Sequence, residues 1–385
     1  MQYKKKLYSI PFNKPHLAGK ELTYIRRAHA LRQLSGDGFY TKKCQQWMEE
    51  KFLCEMSLLT HSCTAALEMI AILSDIEPGD EVIMPDYTFV STANAFVLRR
   101  GVPVFVDVRP DTLNINEQLI EQAISPKTKA IMAVHYAGVG CEMDIIRAIA
   151  KKHKLLVLED AAQGFLAKYK EKYLGTIGDM SAFSFHETKN VISGEGGALL
   201  VNNAKYAERA KIVWEKGTNR SKFFLGLVDK YTWVDIGSSF LPGEITAAFL
   251  MAQLEKAAEI NKKRMLLWNR YHAELVDLED AGYIRRPVIP ANVEHNAHLY
   301  YVLTKNAKDR VELMDFLKKR GILAVTHYVP LHSSPGGRKF ARYVGSMKVT
   351  NKIAETLVRL PLFYDLTDRE QGDVLQAIHD YYKRI

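Results

Sequence analysis

The chain has 385 residues, is 47% hydrophobic and 25% charged, and carries a formal net charge of +9. That is globular composition with room for a large core and two domains, expected at residues 1–250 and 251–385. No apolar run approaches the ~18 residues of a membrane span, and the basic start Met1-Gln2-Tyr3-Lys4-Lys5-Lys6 leads into no secretory apolar segment. Cys44, Cys54, Cys63 and Cys141 show no CxxC or zinc-type spacing, so free thiols in a reducing cytoplasm, and no metal, are expected. The positive charge is spread, with short clusters at 4–6, 151–154 and 262–264 and no nucleic-acid-binding signature. It reads as a solvated basic face that suits phosphate-bearing ligands.

Residues 1–20 read as an extended arm and 21–34 as a helix, broken by Ser35-Gly36-Asp37-Gly38. A second helix is expected at 42–51. Ser62-Cys63-Thr64-Ala65-Ala66 opens another, and its unpaired N–H groups suit a phosphate, although a plain hydroxyl cap is the commoner meaning. Short apolar strands are expected at 81–84, 103–108, 130–135 and 155–160, with helical patterns between them such as 144–153. This alternation predicts an α/β fold with a buried, mostly parallel sheet. Such sheets bind ligands at the carboxyl ends of their strands, where Asp86, Phe89, His135, Asp160 and Gln163 fall.

Next comes a strand at 182–185, then His186-Glu187-Thr188-Lys189-Asn190 and the glycine-rich Gly194-Glu195-Gly196-Gly197. Residues 244–275 predict one long helix linking two domains. Beyond it a strand at 299–303, a helix capped by Asp309 and ended by Gly321, and a strand at 323–329 form a small α/β domain. Val311, Met314 and Leu317 share one face of that helix.

Four features therefore meet at strand or helix ends: an anion-friendly helix start at Ser62–Thr64, the aromatic Phe89, the carboxylate of Asp160, and Lys189. Pyridoxal 5′-phosphate (PLP) needs that set. Its phosphate wants a helix N-terminus, its ring a flat apolar partner, its pyridine nitrogen a carboxylate, and its aldehyde a lysine. The plainer readings make Lys189 a surface lysine, Asp160 a cap and Phe89 core. All of them would have to hold together at one sheet edge.

Ser184-Phe185-His186 with Lys189-Asn190, Gly194 to Gly197, Glu159-Asp160-Ala161-Ala162-Gln163 and Thr88-Phe89-Val90-Ser91 resemble the DegT/DnrJ/EryC1 nucleotide-sugar aminotransferases. The stretches Gly79-Asp80-Glu81-Val82, Phe105-Val106-Asp107-Val108 and Glu215-Lys216-Gly217-Thr218-Asn219-Arg220 are similar to the dTDP-4-amino-4,6-dideoxyhexose transaminases of surface-polysaccharide synthesis. The resemblance implies the aspartate aminotransferase fold (fold type I), a homodimer with sites at the subunit interface, and glutamate as amino donor to a dTDP-linked keto sugar. It implies that Lys189 holds PLP and shuttles protons. Asp160 would meet the pyridine nitrogen, Gln163 the ring hydroxyl and Phe89 the ring face. Cys63, Thr64 and Ser184 would hold the phosphate. Cysteine stands at 63 where many relatives have glycine, and Ser238-Ser239 where many send an asparagine across the dimer. His186, Lys216, Arg220 and His332 are expected near the substrate. The implied product is the galacto-configured 4-amino sugar, with its gluco epimer as alternative. Two rivals are a PLP dehydratase, whose relatives usually replace the lysine with histidine, and a non-catalytic nucleotide-sugar or nucleic-acid binder. No G-x-G-x-x-G supports a nicotinamide enzyme.

Overall fold

The computed structural model describes residues 8–224 and 226–384; residues 1–7, with the basic cluster at 4–6, lie outside the described residues, as do Leu225 and Ile385. The strands that organise the chain are β1 (Met56–Thr60), β2 (Glu81–Pro85), β3 (Val102–Val106), β4 (Thr128–Val134), β5 (Leu156–Asp160), β6 (Met180–Ser184), β7 (Gly197–Val201), β8 (Ile284–Arg285), β9 (Tyr300–Thr304), β10 (Arg342–Tyr343) and β11 (Leu357–Leu360). The large sheet runs β1-β7-β6-β5-β4-β2-β3-β10. Only β7 runs against the others, pairing antiparallel with both β1 and β6. Alternate residues feed two faces. Val82, Met84, Met132 and Leu158 join one core; Ile83, Val104, Ile131 and Val157 join the other. Both faces are covered, so the strands read as continuous apolar runs rather than alternating ones. The result is the fold type I α/β architecture.

The small sheet, β8-β9-β11, is antiparallel. Residues 244–275 form two helices, Glu244–Glu255 and Ala257–Glu274, not one. The turn at Lys256 lets the first half pack Leu250 and Leu254 beneath the large sheet. The second half can then carry Leu267, Trp268 and Tyr271 into the small domain's core. The expected strand at 323–329 is absent. Val325 makes a single bridge with Arg359, after which His327 and Tyr328 line a cavity instead. Asn306, not Asp309, caps the helix Ala307–Lys319, its side chain accepting from the Asp309 N–H at 3.0 Å. The Asp309 carboxylate instead accepts from the Tyr381 hydroxyl at 2.9 Å. Leu313 and Leu317 form that helix's buried face, while Val311 is 49% exposed. Gly321 (φ +75°) does end the helix, in a conformation that favours glycine.

Glu244 is fully buried and ties this scaffold together, accepting from the N–H groups of Gly38 (3.1 Å), Tyr40 (2.7 Å) and Thr41 (3.0 Å) at a helix start. A Glu244→Ala chain leaves these donors unpaired, a loss of about 3–5 kcal/mol. Calorimetry should show melting roughly 5 °C lower; an unchanged melting point would mean that the carboxylate is dispensable. No helix among the described residues is long and apolar enough to cross a membrane.

Candidate active site

A cavity of about 590 Å³ opens at the carboxyl ends of the strands. Its floor begins where β1 turns into the helix Cys63–Leu73. Ser62 caps that helix, its hydroxyl accepting from Ala65 N–H at 3.1 Å. The first-turn residues Cys63 and Thr64, with the positive end of the helix dipole, line the cavity, and the Thr64 hydroxyl lies 2.8 Å from that of Ser91. Gly197 explains the glycine cluster in part. A Cβ there would lie 2.4 Å from the Cys63 nitrogen, so only glycine lets β7 pass under the helix start. Ser184, ending β6, adds a hydroxyl to the same corner.

Asp160 ends β5 and is 5% exposed. Its Oδ2 accepts from the Thr92 hydroxyl at 2.7 Å and its Oδ1 from Ala162 N–H at 3.1 Å, which holds the carboxylate in one orientation. Gln163 accepts from Ala137 N–H (2.7 Å) and donates to the Tyr328 hydroxyl (2.8 Å), leaving its second amide hydrogen for a ligand. Phe89 is 54% exposed beside them, a ring face available for stacking.

Lys189 lies in the turn between β6 and β7, its N–H donating to His186 O at 2.9 Å. Burial lowers the pKa of its amine, although Cys63 and Asp160 oppose the shift. Burial pushes the neighbouring Cys63 thiol far up, so sulfur there is no nucleophile. Next to the lysine, Asn190 donates to Asn261 Oδ1 and Asn296 O. Its own Oδ1 must therefore accept from His298 Nδ1 at 3.1 Å, which makes His298 Nε2 the acceptor nitrogen.

The structure gathers Cys63, Thr64, Phe89, Asp160, Gln163, Ser184, His186 and Lys189 around this cavity. His186 sits at the rim, its Nδ1 within 2.9 Å of the Thr188 hydroxyl. Lys216, Arg220 and His332 do not line it. Lys216 is exposed in a left-handed turn (φ +66°), and Arg220 lies 3.6 Å from Glu215. His332 is pegged to buried Asp86, through Nδ1 at 2.5 Å and its N–H at 2.7 Å, and so fastens a loop to the end of β2. The sequence reading did not single out Arg359, His298, His327 or Phe12, all of which line the cavity. A cation inside the apolar run Leu357-Val358-Arg359-Leu360 is the signal that could have found the first.

The donor set fits PLP: a helix start with hydroxyls for a phosphate, a fixed carboxylate, an open aromatic face and a desolvated amine share one cavity. Together with the fold, this defines a PLP-dependent aminotransferase. The chain belongs to the DegT/DnrJ/EryC1/StrS aminotransferase family, whose pattern matches residues 16–379. It is 36% identical over 351 residues to the uncharacterized protein MJ1066 of Methanocaldococcus jannaschii, covering 88% of this chain and 89% of that one. It is 32% identical over 400 residues to the spore coat polysaccharide biosynthesis protein SpsC of Bacillus subtilis, covering 98% of both. Among solved structures, NtdA from Bacillus subtilis with bound cofactor PMP superposes with a TM-score of 0.86 at 27% identity, covering 95% of this chain and 83% of that one.

Proposed function

We propose that this chain transfers the amino group of L-glutamate to the C4 ketone of dTDP-4-keto-6-deoxy-D-glucose, giving dTDP-4-amino-4,6-dideoxy-D-galactose. One observation carries the reading: Lys189 and Asp160 face a single cavity whose floor is an anion-binding helix start. When bound, PLP supplies an electron sink for a carbanion beside nitrogen. The chain's residues do the rest. The helix start and the Thr64 and Ser184 hydroxyls anchor the phosphate, and Asp160 keeps the pyridine nitrogen protonated. Gln163 donates to the ring hydroxyl, and Phe89 covers the ring. Lys189 would hold the aldehyde carbon, the carbonyl oxygen leaving as water, and, once the donor's nitrogen has displaced it, would carry a proton to and from the substrate carbon, a task eased by its lowered pKa.

The nucleotide-sugar specificity is supported by the motifs at 79–85, 105–111 and 215–221. The dimer is supported by an exposed apolar surface at 231–236, where Trp233, which pairs with Thr218, is 80% exposed and Tyr231, Val234 and Ile236 are exposed beside it. Docked through that surface, Lys216 and Arg220 would reach a partner's pyrophosphate. Four free cysteines suit the cytoplasm, where nucleotide sugars are made. The test is NMR of the product formed from the dTDP-linked ketone and glutamate. A small H3–H4 coupling is expected, as for the galacto sugar; a large one would mean the gluco epimer. Absence of any amino sugar would remove the substrate assignment.

A further inference from the structure

A separate cavity of about 510 Å³ opens on the small domain, between the edge strand β8 and the helix Lys348–Thr356. None of its lining residues lines the catalytic cavity. Arg285, Lys305, Lys348 and Lys352 line it, and among the described residues no acid does. No carboxylate among the described residues forms an ion pair with any of these four. Arg285 is the most telling. It is half-buried, and its Nε and Nη2 are buried without a hydrogen-bond partner. Its chain neighbour Arg286 is fully engaged, with its Nε and its backbone N–H each donating to the Glu279 carboxylate at 2.7 Å. A guanidinium edge held out of water with nothing to donate to is costly unless an anion meets it.

The lysines complete the arrangement. Lys348 and Lys352 stand four apart on one helix face, where like charges repel. The start of that helix is already satisfied, since the Val349 and Thr350 N–H groups donate to Asp107 at 2.9 and 2.8 Å. The charge offered to the cavity therefore comes from side chains, not from the helix end. Lys305 follows β9, with its ammonium 4.8 Å from the centre of the Tyr283 ring, which in turn stacks with Tyr382. Beneath the cations the lining is apolar, with Ile284, Leu303 and Ile353 buried.

We infer that this cavity is a binding site for a small organic polyphosphate, apart from the catalytic centre. A single phosphate ester carries at most about two negative charges and would leave half of the four cations unmet. The Arg285 fork suits two oxygens of one phosphate, and the lysines act as point charges for the next. The apolar floor favours a phosphate with an apolar body, such as a nucleoside, over a bare inorganic chain, and the volume suits one. No amide or carboxylate lines the cavity to read a base edge, so the site takes the class rather than one base. A solvated basic face would account for the exposed lysines but not for the buried edge of Arg285.

The test is calorimetry of the holoenzyme with ATP in magnesium-free buffer, with tripolyphosphate as the bare chain. ATP should bind at least ~5-fold more tightly than tripolyphosphate, because only ATP covers the floor. Arg285→Gln should weaken ATP binding about 30-fold, and the double variant Lys348→Gln/Lys352→Gln about 10-fold. The lysines are exposed, so the double variant decides if Arg285→Gln does not fold. Lys151→Gln/Lys154→Gln removes equal charge elsewhere on the surface and should change binding less than about twofold. Acetylation followed by mass spectrometry gives the location: ATP should shield Lys305, Lys348 and Lys352 but not Lys151 or Lys154. Amino transfer without ATP should be unchanged in every variant. No ATP binding, binding that leaves the three lysines unshielded, an equal loss in the 151/154 variant, or tripolyphosphate as tight as ATP would each overturn the assignment.

Discussion

A Lys189→Ala enzyme is expected to lose amino transfer by at least roughly 10,000-fold in kcat. The size of the effect follows from two duties falling on one nitrogen. Among the described residues Lys189 is the only lysine lining the cavity, and burial lowers its pKa, so it gives up its proton more readily than a surface lysine. No other group on the wall can both hold a carbonyl carbon and return a proton to the same point. His298 and His327 are close, but burial pushes both pKa values far down, and neither can act as an acid near neutral pH. The variant should also lose the absorbance near about 420 nm that marks a lysine-linked cofactor. Turnover at wild-type rate would refute the role of Lys189 outright.

Asp160→Asn should lower kcat/KM about 1,000-fold while the protein stays folded and retains cofactor. Asparagine matches the shape: its oxygen can accept from the Ala162 N–H as before, while its NH2 takes the place of the second oxygen and donates to the Thr92 hydroxyl, which reverses that bond. What it lacks is the charge that keeps a pyridine nitrogen protonated. The defect should therefore sit in the chemical step, with the phosphate anchored as before by the Ser62 helix start. A loss smaller than about tenfold would mean that the carboxylate only shapes the wall. On the proposed roles the pair of variants makes a contrast: removing Lys189 would cut the covalent tie, whereas neutralising Asp160 would leave the tie and weaken the sink.

The parts legible in the sequence were those in which chemistry and local pattern coincide. Ser62 announced a helix start because hydroxyl caps have a local signature, and Asp160 closed an apolar strand that could only be buried. Lys189 stood between a strand and glycines. Arg359, His298 and Phe12 were not legible because each lies in the cavity through long-range packing. They come from β11, from the segment before β9 and from the arm, and no short window of sequence brings them near Lys189. The strand expected at 323–329 failed for a related reason, since its residues were read as ladder while His327 and Tyr328 are spent on the cavity wall. The helix expected across 244–275 breaks at Lys256, where nothing local marks a stop, because its two halves answer to different cores.

The short strand β10 has a mechanical implication. It comes from the C-terminal part of the chain but zips onto the rim of the large sheet beside β3, and Arg342 grips Glu81 there through two contacts of 2.7 and 2.6 Å. A jaw-like swing of the small lobe would have to tear this stitch. Entry and exit of a bulky sugar therefore fall to side chains and mouth segments rather than to lobe rotation, and the cleft works as a mould whose outline is set before anything is bound.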